Sequence, residues 1–199
     1  GQAVFITKRG RDLANLIEWD LTDGYWQVRR NLRGYRLAMY AVDLVHHLLE
    51  DHDAHPRTFH ALTGLLEALS QSDNDPCGRE AAMVRFQWAT IDDAGYRPVL
   101  DRDVRTGEVL APQTPLAFSA AAGGLVAADS TEATSGASDP WRVSPGTIEL
   151  LNALAEDRAL SDFSADVFQR ANRLLCAYVR TVLDRHLPTM NALLPEQMI

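Results

Sequence analysis

The chain has 199 residues, a formal net charge of −8, 46% hydrophobic residues and 23% charged residues, the balance of an ordinary folded protein with room for one good core or two small ones. No apolar run approaches the roughly 18 residues needed to cross a bilayer, and no basic-then-apolar leader opens the chain, so no membrane partner is expected and the cytoplasm is the expected location. The acidic total excludes a binder that is basic all over, so any contact with phosphates has to be local.

Gln2 to Thr7 is an extended apolar run of the kind found inside a strand, and a strand so placed needs partners. From Tyr25 to Glu50 the pattern turns helical, with Leu32, Leu37, Tyr40, Ala41, Leu44, Val45 and Leu48 at steps of three and four. Pro56 opens a second helix in the favoured first turn, with Phe59, Leu62, Leu65, Leu66 and Leu69 as its stripe. A third runs from Gly78 to Ala94 through Met83, Phe86, Trp88 and Ile91, and Gly95 ends it. Between Pro98 and Trp141 the helical period is lost. Two or three short strands are expected near Pro115 to Phe118 and Gly124 to Val126, followed by a polar stretch from Ala128 to Asp139 that reads as mobile. Helices resume at Pro145, with Ser144 as cap, and over Ala165 to Leu187, where Pro188 stops the helix. Cys77, in a polar turn, and Cys176, on an apolar face, share no context and read as free thiols.

The segment from Leu100 to Ser130 has the frame of a small metal ribbon. Cysteines at 103, 106, 127 and 130 would make C-x2-C…C-x2-C, a spacing that suits tetrahedral zinc, but the residues present are Asp103, Thr106, Ala127 and Ser130. No metal is expected there. Gly123-Gly124 is read as a tight turn, and Phe118, Leu125 and Val126 are expected to replace the metal by packing, so that the lobe depends on docking against the helices.

A second cluster is His46, His47, Glu50, Asp51, His52, Asp53 and His55, in which His46 and Glu50 stand four apart on one helical face. It matches no metalloprotease signature, and a solvated helix end is the plainer reading, since histidine is favoured there by the helix dipole. A third is the arginine set Arg29, Arg30, Arg33 and Arg36, backed by Lys8, Arg9 and Arg11. On a helix, Arg29, Arg33, Arg36 and Tyr40 share one face, near Tyr25, Trp26 and Tyr35. Cations interleaved with aromatics suit a phosphate backbone with stacked bases or an acidic peptide, and equally a solvated face paired to local acids. No phosphate loop, nucleophile elbow or acid–base carboxylate pair occurs, so no catalysis and no cofactor are expected.

Leu100-Asp101-Arg102 entering the knuckle, Phe118-Ser119 with Gly123-Gly124 leaving it, and Ser144-Pro145-Gly146 beyond it resemble the bacterial RecO family of DNA repair proteins. Arg85-Phe86 followed by Ala94-Gly95-Tyr96-Arg97-Pro98, Arg9-Gly10-Arg11-Asp12-Leu13 with Leu16-Ile17-Glu18, and Leu174-Leu175-Cys176-Ala177-Tyr178 with Leu187-Pro188-Thr189-Met190 extend the resemblance over most of the chain. It implies a mainly α fold, a helical bundle with an inserted small irregular β lobe that resembles a metal-free zinc ribbon. It also implies a division into residues 1–20 as the last strands of an N-terminal β-barrel, 21–97 as the first part of a helical domain, 98–141 as the degenerate ribbon and 142–199 as the second helical part. The barrel that binds oligonucleotides in this family is then expected upstream of Gly1 and outside the sequence.

The function implied is that of a non-enzymatic recombination mediator, which anneals strands and helps load recombinase with RecR. It also engages the acidic, Phe-terminated tail of single-strand DNA-binding protein, and touches single-stranded DNA mainly through the barrel. The family's Arg-Arg-Phe helix serves the tail pocket. Here the stretch is Met83-Val84-Arg85-Phe86-Gln87. The loss of one guanidinium at Val84 removes a charge-assisted bond worth about 1.5–3 kcal/mol and puts tail binding in question, leaving Arg85, with Asp92 or Glu80 as alternative partners for it. A metal-dependent hydrolase built on the 46–55 cluster, and a protein-interaction domain without DNA binding, are the alternatives.

Overall fold

The computed structural model describes residues 1–8, 10, 14–71, 75–111, 115–128 and 140–194. The polar stretch expected to be mobile lies, from residue 129 to residue 139, outside the described residues. Strands β1 (Gln2–Ile6) and β2 (Asn15–Asp20) pair antiparallel, with the register slipping between Val4 and Phe5. Every residue of both strands is exposed. Val4, Phe5 and Ile6 face solvent as openly as Leu16, Ile17 and Trp19 do, so this pair adds nothing to the core.

The expected first helix is divided. A 3-10 turn over Trp26–Arg30, pinned by buried Val28, is separated from α1 (Leu32–Leu48) by Asn31, whose side chain accepts the Gly34 N–H at 3.0 Å. Asparagine competes with helical backbone hydrogen bonding and is better placed as a cap than inside a helix. Helix α2 (Pro56–Gln71) starts on its proline, and α3 (Pro76–Asp93) starts two residues before the expected Gly78 because Asp75 caps it at the Gly78 N–H, 2.8 Å away. Cys77 is therefore in the first helical turn rather than in a loop, and both cysteines are free. At the end of α3 the Tyr96 N–H returns to the Ile91 carbonyl at 2.9 Å, a closure that Gly95 permits at φ +79°.

Strands β3 (Leu116–Ser119), β4 (Gly124–Ala127) and β5 (Trp141–Arg142) form a small antiparallel sheet in the order β4-β3-β5. Helix α4 (Pro145–Ala155) is capped by Ser144. Helix α5 (Ala165–Val182) ends five residues before the expected Leu187: Asp184 turns left-handed at φ 49°, the Arg185 N–H closes on the Arg180 carbonyl at 3.2 Å, and Pro188 opens a separate 3-10 turn, Pro188–Ala192. The apolar period running through Leu187 belongs to this turn packing back on the bundle, not to a continuing helix.

The fold is mainly α with a small β lobe. Helix α3 packs on both α2 and α5, α1 lies against the terminal 3-10 turn, and α4 lies against α5. One cluster of buried side chains takes in Leu37, Tyr40 and Leu44 of α1, Met83, Phe86 and Ile91 of α3, Phe118 and Leu125 of the lobe, Leu150 and Leu151 of α4, and Phe168 and Leu175 of α5. Through this core runs a polar chain. Arg33 ion-pairs with Glu80, Asn172 Nδ2 donates to Glu80 Oε2 at 2.9 Å, Gln87 Nε2 donates to Asn172 Oδ1 at 2.8 Å, and the Tyr40 hydroxyl donates to Gln87 Oε1 at 2.9 Å. Every member of this set has a partner, which is what a buried polar network requires.

Candidate functional site

In the lobe, three of the four vacant ligand positions do converge, but they converge on a carboxylate. Asp103 is buried. Its Oδ1 accepts the N–H groups of Arg105 (2.8 Å) and Thr106 (3.2 Å), and its Oδ2 accepts that of Ala127 (2.8 Å) across the sheet. Ser130 lies outside the described residues. Burial pushes the Asp103 carboxyl up, but the three backbone donors and the nearby Arg105 guanidinium outweigh it and hold the group below the usual carboxylate range. A zinc does not fit these residues: positions 106 and 127 offer no thiolate or imidazole, and both oxygens of the one carboxylate are already committed. Packing is only part of what replaces the metal. Phe118, Leu125 and Val126 are fully buried as expected, and Phe118 meets Tyr178 of α5 edge-on at 5.4 Å between ring centroids, yet the crosslink between the two knuckles is Asp103.

The expected basic face is dispersed. Lys8 is exposed after β1, while Arg9 and Arg11 lie outside the described residues. Arg29 and Arg30 stand on the 3-10 turn, not on α1, and the Arg29 guanidinium lies 4.8 Å from the Trp26 ring centroid. Arg33 is drawn into the ion pair with buried Glu80, and Tyr40 points into the core, so neither belongs to an open face with Arg29 and Arg36. Arg36 is exposed beside Tyr35 and Met39, along a groove closed by Pro188 and Leu194.

Arg85 is exposed on α3, in a cleft between α2 and α3 with Arg57, His60, Leu65 and Trp88. Both carboxylates expected as its alternative partners are taken: Glu80 by Arg33 and Asn172, Asp92 by Arg57 at 2.7 Å and Arg97 at 3.9 Å. Arg97 also lies 5.8 Å from the Trp88 ring centroid. Val84 is wholly buried, so that position packs the core of this chain and the outward guanidinium of the segment is Arg85. Sequence reasoning missed Arg57, His60 and Arg97 here. The visible signal was the helical spacing of Arg85 and Trp88, but the other cations come from α2 and from the loop after α3.

The 46–55 cluster does not assemble. Helix α1 stops at Leu48, which leaves Glu50 off the helical face of His46. His47 accepts from Arg185 at 2.7 Å, and His55 lies 3.7 Å from Asp53. Among the described residues no three His, Cys, Asp or Glu side chains are grouped to hold a metal, and none of the helices there is long and apolar enough to cross a membrane.

The family model described as "Recombination protein O C terminal" matches residues 29–191. A "DNA repair protein RecO" of Anaeromyxobacter sp. is 31% identical over 121 residues, 61% of this chain and 46% of that protein. One of Geobacter metallireducens is 34% identical over 117 residues, 59% of this chain and 46% of that protein. One of Syntrophus aciditrophicus is 26% identical over 194 residues, 96% of this chain and 73% of that protein. The chain spans about half the length of the first two of these relatives. With the family model matched across the five α-helices of the described residues and the ribbon frame between them, the chain belongs to the RecO family.

Proposed function

We propose that the chain is the helical and ribbon portion of a cytoplasmic DNA repair and recombination mediator. It works without catalysis, in concert with RecR and with single-strand DNA-binding protein, and leaves most of the contact with single-stranded DNA to a barrel formed by other sequence. The observation that carries this reading is the family match over residues 29–191. Two surface features support it. The exposed arginines are scattered over several elements of a chain of net charge −8 and are not gathered into one broad basic face, which suits a supporting module better than a main DNA-binding surface. The α2–α3 cleft sets Arg85 beside His60, Leu65 and Trp88, with Arg57 already paired to Asp92 and Asp157 on the rim, so that Arg85 is the group there that accepts a carboxylate next to an apolar wall, as an acidic tail ending in phenylalanine presents them.

Co-purification with RecR and fluorescence-anisotropy titration with the acidic tail peptide test this directly. Binding to either supports the mediator role for this segment, and binding to neither overturns it. At physiological salt the chain alone is expected to hold single-stranded DNA weakly, and tight, salt-sensitive binding would reassign the DNA contact to this segment. For the tail, Arg85→Glu is expected to weaken the peptide at least about tenfold, the loss of one charge-assisted bond.

A further inference from the structure

Three arginines that line one open slot are not those the sequence grouped. Arg142 is on β5, and Arg170 and Arg173 are one turn apart on α5. All three are exposed, and they line a slot of ≈ 240 Å³ with Trp141, Leu174 and Ala177, beside the first turn of α4. Among the described residues no carboxylate lines it. Arg170 is held by Asp166 four residues earlier at 2.5 Å, while Arg142 and Arg173 make no ion pair with any described residue. In an acidic chain, a slot rimmed by three guanidinium groups and walled by an indole is selective for an anion that also carries a flat apolar part.

We infer that this slot is a second contact for single-stranded nucleic acid, with one base lodged against Trp141 and the flanking phosphates on Arg142 and Arg173. The inference rests on the nucleic-acid side of the function proposed above. A volume of ≈ 240 Å³ suits a single base or a single aromatic side chain. The rim spreads its charge over two elements instead of focusing it on one point, which matches the repeated charge of a phosphodiester better than a lone carboxylate. One face of Trp141 is already spent on Phe118, stacked at 6.4 Å and 5° between planes. The stack fixes the indole as a rigid platform.

The test uses the full 199-residue chain and a fluorescent oligothymidylate at low ionic strength, read by anisotropy. Arg142→Glu with Arg173→Glu is expected to weaken binding about a hundredfold and to flatten the plot of log K against log salt by about 0.7 for each phosphate no longer neutralised. Arg102→Glu with Arg158→Glu, the same double charge reversal on exposed residues outside the slot, is expected to stay within about twofold of the parent. Trp141→Phe keeps the apolar wall, and is expected to abolish most of the tryptophan quenching by oligothymidylate while leaving the melting curve in place. Arg142→Gln with Arg173→Gln serves if the glutamates disturb folding.

Parent-like binding and salt slope in the double variants would overturn the slot assignment while leaving the RecR and tail-peptide results untouched. So would an intact Trp141 signal change with an acidic Phe-terminated peptide but none with the oligonucleotide. A parent chain that binds no oligonucleotide even at low salt would overturn it as well.

Discussion

Asp103 shows how a single carboxylate can stand in for a metal crosslink. Two of its acceptor bonds are local, to the N–H groups two and three residues ahead, a turn pattern common for aspartate. The third, to Ala127, joins segments 24 residues apart. Asp103→Ala leaves those three donors without an acceptor in a buried place and is expected to cost about 2–3 kcal/mol in chemical denaturation. Asp103→Asn keeps one acceptor oxygen and should lose about half of that. The pH dependence has a definite sign. Because the folded-state pKa is depressed, the contribution is fully present above the unfolded carboxyl value and disappears as pH falls through the folded value. The acid limb of a stability–pH curve should therefore be shallower in Asp103→Asn than in the parent, with the two curves running parallel at neutral pH. The sequence marked position 103 as a ligand site that had lost its ligand. What it could not show was that the Asp103 side chain reaches across to the other knuckle, because that bond depends on β3 and β4 having paired.

Elements with local start and stop signals were readable, and those decided by distant partners were not. Ser144-Pro145 and Pro56 marked helix starts because a cap or a fixed φ acts within one turn. The division at Asn31 and the early end of α5 at Asp184 also use local chemistry, but each is hidden under an apolar period that continues past it to serve a neighbouring turn. The basic face failed for a different reason: Arg33 is consumed by Glu80, 47 residues away, and the three arginines that do meet come from β5 and α5. Two substitutions probe these inter-element joints. Gly124 lies so close to Val99 that a Cβ would collide with the Val99 carbonyl oxygen, which already accepts the Leu125 N–H at 2.9 Å. Gly124→Ala is thus expected to lower stability by about 2 kcal/mol through forced separation of the lobe from the segment after α3, visible as a drop in Tm. Glu80→Ala removes the acceptor shared by α1 and α5 and leaves Asn172 short of a partner, at an expected cost of about 3 kcal/mol in chemical denaturation. Arg33→Met with Glu80→Met, which replaces both charges by apolar groups, should cost markedly less.

At the scale of the whole molecule, the helices and the lobe form one continuous core while β1 and β2 stand outside it. Their apolar residues fall on both faces of the pair: Ala3, opposite Trp19, and Phe5, opposite Leu16, share one face, and Val4 and Ile6 lie on the other. Two strands with apolar side chains on both faces are marginal alone and present free edges for pairing. The sheet chemistry is therefore that of an unfinished layer, in keeping with the barrel proposed for the neighbouring sequence. Since these side chains make no part of the core, substituting them should separate stability from association. Phe5→Lys with Ile17→Lys is expected to leave the unfolding free energy within about 0.5 kcal/mol of the parent, and to reduce concentration-dependent light scattering by the isolated chain. A large loss of stability would instead mean that the pair is anchored on the bundle, and that the first 20 residues belong energetically with the helices rather than with a barrel.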